Sequence, residues 1–505
     1  MSETTTDTSN TSKDYSQFLY GRLPIFTSID GFSPDNPLEI ISEVNEALSI
    51  HCQNLLAMEY LYWYRRGITP IYAKTKTVRP EINHKVSVNI AEQIVDFKNG
   101  YFLAQPAFYT SRNDDANVAK EVKNLNEYLY RSGKQTADND LVDWFHTVGK
   151  ADLFIRSVDN PDVPYEAHAL DPRSAFVVRS FRAGNPVVYG VNIAIRGEVL
   201  YLDVWDRYFV YRLLGTVTGK LTTPDCNYVC TATDVISVEP NPLGAVPIIE
   251  YKYNSVGMSA FESVIPLLNL LNDITSGRID SIDQFVQSLL IFYNCELGED
   301  DNGKPITTRM VREAGALFLK TTSENRADVK EISSTLDQAQ TQTFVDHIYH
   351  QILAICGMPD TTKGGSSTSD TGLSVELRDG WMNCEMRARN CEDLFKKSNK
   401  EFDKIMLNIL KAKNLTSISL NDFELNFTRN EVRGAQSKAQ ALNTLLSSGL
   451  NPIIALAKSG ISADPVSDFE SSKDYMRMRW GDPSAPIEQP KTEILEQDNN
   501  TGANQ

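Results

Sequence analysis

The feature that most limits how this chain can fold is a series of apolar stripes at helical spacing in its second half. One stripe runs from Val264 to Ile274, another from Ile282 to Leu290, and a third from Phe344 to Ile355. Apolar residues three or four apart lie on one side of a helix, so each stripe predicts a helix with one apolar face. Together the stripes exceed what one slender helical stem could bury alone, and something else must cover them.

Two arrangements would cover such stripes, and periodicity does not choose between them. Asp280, Asp283 and Gln287 lie opposite the second stripe, and several glutamines lie away from the third. In a ring of subunits, neighbours would cover the apolar sides and the polar sides would face a lumen. In a monomeric domain, the polar sides would simply face bulk water.

The rest of the chain predicts an α+β fold that is mainly helical. Between Leu153 and Tyr253, β-branched and aromatic runs alternate with turn residues, which indicates a mostly antiparallel sheet. Helical periodicity precedes this β-rich segment over about 36–64, 87–103, 116–132 and 136–150.

A third predicted helix, about 335–356, is followed by a Ser/Gly-rich loop over 360–372, which cannot bury anything and is typical of a mobile connection. A long helix is then predicted from Leu373 to about Lys413, with a kink at Gly380. A strand pair around 418–427 and a helical C-terminal region, about 431–478, complete the folded part.

Composition and charge exclude several classes of protein. Hydrophobic residues make up 41% and charged residues 23% of the 505, which is ordinary for a folded chain. The net charge of −17 argues against a protein that grips nucleic acid through neutralised phosphates. No apolar stretch of about 18 residues occurs, and we expect neither a membrane span nor a secretion signal. Seven scattered cysteines do not resemble a disulfide framework and favour synthesis in a reducing cytoplasm.

Catalytic and metal-binding motifs are weak. The segment Gly215–Leu221 resembles a phosphate-binding loop, but its glycine spacing is one residue short and a leucine replaces the magnesium-binding Ser/Thr, so a hairpin turn is favoured. His347 and His350 share a helix without a third ligand at metal-binding spacing, and Cys226 and Cys230 lack a partner pair. We therefore predict no catalytic residue, no metal site and no cofactor.

Several strings, taken with their order along the chain, carry a family resemblance. They are Val88–Phe102 with Gln105-Pro106, Ala169–Arg173, Asn241–Tyr251 with Ser259–Glu262, and Gly372–Leu377. Over about residues 40–475 this order is similar to that of the portal proteins of tailed double-stranded DNA bacteriophages, siphophage type. Gly372 directly precedes Leu373, an altered order that leaves the exact boundary of the preceding loop open.

The resemblance implies a ring, commonly of twelve subunits, at one capsid vertex through which the DNA genome is packaged and ejected. The implied partners are the terminase large subunit, the major capsid and scaffolding proteins, a head-completion or adaptor protein, and double-stranded DNA passing through the channel, with no membrane. The implied location is the virion, with the host cytoplasm during assembly. An acidic chain suits such a channel, because strong phosphate contacts would slow a sliding polyanion.

The resemblance also implies regions and site residues. The expected regions are a flexible N-terminal arm (1–35), an α+β wing (36–257), stem helices (258–295), a clip (296–334), a further stem helix (335–359), a tunnel loop (360–372), a long helix with wing strands (373–429), a crown (430–481) and a disordered tail (482–505). The tunnel-loop residues expected to line the DNA channel are Asp360, Thr361, Thr362, Lys363, Ser366, Ser367, Thr368, Ser369 and Asp370. The clip residues expected to dock terminase or the connector are Asp300, Asp301, Lys304, Glu313 and Lys320.

The alternative is a soluble phage-related enzyme, a nuclease or a transferase, with an acidic metal site that no motif reveals. A cluster of carboxylates with divalent-metal dependence would favour the enzyme, and a large ring formed without ligands would favour the portal protein.

Overall fold

The computed structural model describes residues 21–77, 79–112, 115–219, 228–286, 289–293, 328–332, 338–360, 380–427, 435–462 and 465–480. These residues divide into two compact units. The first contains those between 21 and 108, those between 124 and 420, and Phe427, and the second contains 109–123, 421–426 and those from 435 onward. The chain mixes helices with antiparallel sheet, which confirms the predicted α+β class.

The described helices are α1 (Pro37–Arg65), α2 (Ile90–Phe102), α3 (Ala116–Arg131), α4 (Lys134–Val148), α5 (Ile265–Val286), α6 (Gln338–Cys356), α7 (Trp381–Ala412), α8 (Ala435–Ser447), α9 (Pro452–Ser459) and α10 (Pro465–Trp480). The described strands are β1 (Phe26–Thr27), β2 (Phe108–Ser111), β3 (Lys150–Ser157), β4 (Tyr165–Leu170), β5 (Ala175–Ser180), β6 (Val187–Arg196), β7 (Val199–Trp205), β8 (Phe209–Thr218), β9 (Val229–Pro240), β10 (Ile248–Lys252), β11 (Leu289–Tyr293), β12 (Asp328–Ile332) and β13 (Phe423–Asn426). No helix among these combines the length and apolarity needed to cross a bilayer.

The long helix α1 begins and ends where local chemistry predicts. Asn36 caps its first turn by accepting a hydrogen bond from the Glu39 amide at 3.4 Å, and Pro37 occupies the first helical position, where no donor is needed. At the other end Gly67 adopts a φ of 81°, a conformation that stops the helix at little cost.

The first half of α1 packs on the larger sheet, whose order is β1-β5-β6-β7-β8-β9 with β1 parallel to β5. Alternating residues of β7, such as Leu200 and Leu202, point into this core, and Val44 and Leu48 of the helix cover them. The second half of α1 contributes Met58 and Leu61 to another core shared with α2, α5 and α6. One helix therefore ties the β-rich layer to the helical layer.

A smaller sheet, in the order β10-β3-β4, joins the end of α4 to the start of the next helical region. Gly149 follows α4 with a φ of 92°, and a Cβ at this position would collide with the carbonyl group of Gly257. Only glycine allows the two backbones to approach so closely.

In the second unit, β13 pairs with β2, and α8, α9 and α10 follow in sequence. The Arg112 amide donates to Asp422 O at 2.9 Å, and the rings of Tyr109 and Phe423 pack edge to face with centroids 4.8 Å apart. The predicted helical texture of 431–478 is observed in these three helices. The strand predicted near 418–427 is also present, but its partner is the distant β2 and not a neighbouring strand.

Two predicted helices differ from the observed ones. The stripe from Ile282 to Leu290 was expected to be wholly helical, but α5 ends at Val286 and Leu289 begins a strand that pairs with β12. The long helix was expected to run through a kink at Gly380, but this glycine has a φ of 84° and precedes the first residue of α7. A left-handed residue cannot lie inside an α-helix, so the helix that reaches Ala412 starts at Trp381.

Candidate functional site

The apolar stripes of the predicted stem are covered only in part by the chain itself. Leu268 and Leu271 of α5 pack with Ile348 and Ile352 of α6 in the core that also holds α1 and α2. Among the described side chains of these two helices, the apolar residues Leu270, Ile282, Phe344 and Ile355 remain 40–51% exposed. The third stripe is therefore split, because Ile348 and Ile352 are buried while its two end residues are open to solvent.

The polar side of α5 is also partly covered, by an extended segment of the same chain that we call the strap, residues 83–88. Three α5 side chains at successive turns bind its backbone. The Val88 amide donates to Asn272 Oδ1 at 2.8 Å, the Val86 amide to Ser276 Oγ at 3.0 Å, and the His84 amide to Asp280 Oδ1 at 2.8 Å.

The Asp280 carboxylate has the richest set of strap contacts. It accepts hydrogen bonds from Lys76 Nζ, from the His84 amide and, at 2.9 Å, from His84 Nδ1. Burial disfavours its charge, but these donors outweigh burial and lower the pKa of Asp280 to about 2. Both arrangements that the sequence leaves open expose this side of the second stripe, to a lumen or to bulk water, but the Asp280 side chain is only 4% exposed because the strap covers it.

The carboxyl end of α6 is held by two cations from other helices. Lys98 Nζ of α2 donates to Cys356 O at 2.8 Å, and Arg387 Nη1 of α7 donates to Ile355 O at 2.7 Å. These two carbonyls have no partner within their own helix, and positive charge is favourable at this end of a helix. The next residue, Gly357, adopts a φ of 67°, and a Cβ there would collide with the Arg387 side chain.

Asp360 is the only predicted tunnel-loop residue in the described part of the chain. It was expected at the start of an exposed mobile loop, but it is 7% exposed, and its Oδ2 lies 2.6 Å from His350 Nδ1 on α6. Asp360 is therefore packed against the helix and is not a free carboxylate.

The chain resumes at Gly380, and the first residue of α7 is anchored as well. The ring of Trp381 packs against Phe97 and Tyr101 of α2, with centroids 6.1 and 6.0 Å away. Both flanks of the segment 361–379 are thus attached to α2 and α6. The sequence analysis did not predict the contacts that Lys98, Arg387 and Trp381 make with α6 and α2, although two cations and an aromatic residue are the residue types that form such contacts.

The remaining predicted site residues lie outside the described part of the chain. This applies to the tunnel-loop residues from Thr361 to Asp370 and to the clip residues Asp300, Asp301, Lys304, Glu313 and Lys320. At the base of the predicted clip, β11 and β12 form an antiparallel ladder in which Leu289 lies opposite Ile332 and Tyr293 opposite Asp328.

In the described part of the chain, the residues of the weaker sequence motifs have structural roles. The strands on either side of Gly219, β8 and β9, pair antiparallel, as the hairpin interpretation predicted. His350 contacts Asp360, and Cys230 is buried in the core beneath the larger sheet. Within the ranges that the structure describes, no group of three or more His, Cys, Asp and Glu side chains is arranged to hold a metal ion.

Comparison with known proteins gives the same family by two routes. Residues 48–453 match the family model described as "Phage portal protein, SPP1 Gp6-like". A curated relative, the "Portal protein" of Bacillus phage SPP1, is 23% identical over 349 residues, which cover 64% of this chain. The matched part spans 62% of the length of that relative.

Proposed function

The chain belongs to the SPP1 Gp6-like family of phage portal proteins, and from this premise we propose that it forms the ring channel at one capsid vertex. Double-stranded DNA enters the head through this ring during packaging and leaves through it during ejection. The observation that carries the proposal is the family match, which extends over residues 48–453 and so includes the predicted stem and clip and all but the first residues of the predicted wing. The protein is then a virion component that assembles in the host cytoplasm.

The uncovered residues of α5 and α6 support the ring. Ile282 and Phe344 are 50% and 51% exposed, although Leu271 and Ile348 of the same helices are each only 3% exposed. Exposed apolar side chains that together form a contiguous patch are typical of surfaces that a partner covers. In a ring, that partner is the adjacent subunit, so the ring interpretation accounts for both the buried and the exposed parts of the stripes.

We assign the tunnel loop to the narrowest point of the channel. Because Asp360 is packed against α6, the loop in this assignment comprises residues 361–372. The anchors at Asp360 and Trp381 support this assignment, because they hold the flanks of the segment against a packed helical layer. The loop sequence carries one cation, Lys363, and several hydroxyls, so it offers phosphates brief hydrogen bonds without a tight clamp.

Asp370→Lys tests the loop assignment. Adding a positive charge close to DNA attracts phosphate, so we expect slower packaging in a single-molecule assay, with the larger effect in low salt. The matched control is Asp159→Lys, the same charge change at an exposed residue between β3 and β4. Equal packaging velocities for Asp370→Lys and wild type at both ionic strengths would remove the loop from the DNA path.

The clip is the region that we assign to docking of the terminase large subunit and, later, the head-completion protein. The ladder between β11 and β12 supports this assignment, because it places Tyr293 and Asp328, which lie at the two ends of the insert, directly opposite each other. The Asp300-Asp301 pair, Lys304, Glu313 and Lys320 then supply charges for recognition.

The double variant Glu313→Ala with Lys320→Ala tests docking. We expect weaker terminase binding and less packaged DNA, while ring assembly is retained. Glu401→Ala with Lys404→Ala is the control, since it removes one acid and one lysine from an exposed ion pair on α7. Terminase binding that is the same in both double variants would contradict the clip assignment.

A further inference from the structure

The last strand of the larger sheet, β9, is covered by α1 along part of its outer edge. Among the described strands β9 pairs with β8 alone, so the backbone groups on its other side need partners from elsewhere. The Asn45 side chain of α1 provides both kinds of partner. Its Nδ2 donates to Ala232 O at 3.1 Å, and its Oδ1 accepts from the Ala232 amide at 2.7 Å. These two bonds fix the position of the helix on the strand.

The same contact brings two cysteines together. Cys52 lies seven residues after Asn45, which is two helical turns, so both side chains leave α1 on the same face. Cys230 lies two residues before Ala232, so these two side chains share a face of β9. Cys230 is 7% exposed in the core beneath the sheet, and Cys52 is partly buried against that core. Both are free thiols, and they are hydrogen-bonded to each other.

The surroundings of the two thiols make Cys52 the more reactive one. Hydrogen bonds from the Cys230 thiol and from the Cys230 amide stabilise the Cys52 thiolate and lower the pKa of Cys52 to about 7, although burial opposes the shift. The hydrogen bond to Cys52, together with burial, raises the pKa of Cys230. At neutral pH about half of Cys52 is therefore thiolate, the form that attacks disulfides, and a protonated thiol lies beside it.

We propose that Cys52 and Cys230 are a redox pair that a low-molecular-weight disulfide, such as oxidised glutathione, converts into an intramolecular disulfide. The Cys52 thiolate attacks one sulfur of the small disulfide, whose S–S bond breaks, and one small thiolate leaves. Cys230 then loses its proton and attacks the Cys52 sulfur of the mixed disulfide, and the second small thiolate leaves. The two cysteines are oxidised by two electrons, the small disulfide is reduced, and its two thiolates take up the two protons that the cysteines release.

The disulfide fastens α1 to the edge of the larger sheet. It closes a long loop of chain, and such a cross-link stabilises the folded state by restricting the unfolded one. Met58 and Leu61 of α1 also pack in the core shared with α5 and α6, so the link strengthens the connection between this sheet and the stem helices. The timing rests on the proposed function: the reducing host cytoplasm keeps the pair as thiols, and lysis exposes the particle to an oxidising medium.

Oxidation of the purified full-length chain tests the pair without depending on ring formation. The native protein is incubated with oxidised glutathione at neutral pH, and the remaining thiols are blocked with iodoacetamide. Disulfides are then mapped by mass spectrometry after digestion with chymotrypsin, which cleaves after Tyr228 and so separates Cys230 from Cys226. We expect Cys52 linked to Cys230 in most molecules. A native wild type in which both cysteines stay reduced, or in which Cys52 is linked to Cys226, would overturn the proposal.

Single substitutions test the order of attack under the same native conditions. Cys230→Ser leaves no second thiol to resolve the mixed disulfide, so one glutathione should remain on Cys52. Cys52→Ser should leave Cys230 unmodified, because this thiol is buried and protonated. The matched control is Cys356→Ser, at another buried cysteine, and it should form the link as fast as wild type. Equal glutathione adducts on Cys52 and Cys230 in the two single variants would contradict the proposal that Cys52 attacks first.

Thermal unfolding measures the effect of the link. The midpoint of oxidised wild type should lie at least about 2 °C above that of the same protein in excess reductant, because the cross-link closes a long loop. Cys52→Ser, which cannot form the link, should have the same midpoint in both conditions. Equal midpoints for oxidised and reduced wild type, with the link formed, would refute the stabilising role of the disulfide.

Discussion

Replacing Asp280 by alanine tests whether α5 holds the strap by buried hydrogen bonds. The substitution removes the acceptor for Lys76 Nζ, the His84 amide and His84 Nδ1. Lys76 and the His84 ring are partly exposed and can form hydrogen bonds with water instead. Most of the loss in stability therefore comes from the His84 amide, which loses its hydrogen-bond acceptor. A lost hydrogen bond to a charged group costs about 1.5–3 kcal/mol, and each 1.4 kcal/mol is about tenfold in an equilibrium constant. Local opening of the strap should therefore increase about 10- to 150-fold.

Hydrogen exchange followed by mass spectrometry measures this opening on the assembled protein. Peptides that contain 83–88 should exchange faster by that factor, while peptides from α4 should not change. Asp273→Ala is the matched control, because Asp273 lies two turns earlier on the same helix and binds Lys74 Nζ at 2.8 Å in an exposed ion pair. An exposed pair is worth about 0.2–1 kcal/mol, so the control should accelerate exchange less than about fivefold. Equal exchange in the two variants would refute the account of the strap.

The same carboxylate should make strap opening depend on pH. Its pKa is lowered on folding from 3.8 to about 2, so its contribution is fully present above about pH 4 and is lost as the pH falls through about 2. Wild type should therefore lose strap protection over this interval more than Asp280→Asn does. Parallel losses in the two proteins would show that other groups control the acid response.

Two further substitutions probe the framework around the site. Gly149→Ala should prevent correct folding, because the φ of 92° at this position is unfavourable for alanine and the added Cβ would collide with Gly257. A soluble variant with the circular dichroism spectrum and the thermal unfolding midpoint of wild type would contradict this. Lys134→Met should lower the free energy of unfolding by about 3–5 kcal/mol, because it leaves Asp138 buried without its cation. The double variant Lys134→Met with Asp138→Leu should recover most of this loss when unfolding by denaturant is measured. Losses that simply add in the double variant would refute the pairing.

Elements with strong local signals were predictable from the sequence. The helix α1 has its capping residue at Asn36 and its terminating glycine at Gly67. The strands of the wing are short apolar runs separated by turn residues. Both patterns are local, so their prediction needed no long-range information. The helices over Val264–Ile274 and about 335–356 were predicted for the same reason. The strand at Leu289 was not, because a short apolar run fits a helix and a strand equally well until its partner, β12, is known.

The contacts around the candidate site depend on residues far apart in the chain. The strap and the α5 residues that bind it are about 190 residues apart in the sequence, and Lys98 and Cys356 are more than 250 residues apart. No local sequence pattern predicts either contact. Asn272, Ser276 and Asp280 do recur at four-residue spacing, which predicts a polar face but not what covers it. Asp360 was misjudged because the polar composition of its neighbours suggested solvent, whereas its partner His350 lies on the preceding helix.

Electron microscopy of the purified full-length chain, combined with light scattering, tests the central claim most directly. We expect closed rings with a central channel, formed without nucleic acid or metal, and a mass many times that of the 56.6 kDa chain. Rings should be held through the exposed apolar residues of α5 and α6, so Ile282→Asp should shift the population toward smaller species. A wild-type chain that is only monomeric at micromolar concentration, in low and in high salt, would contradict the account.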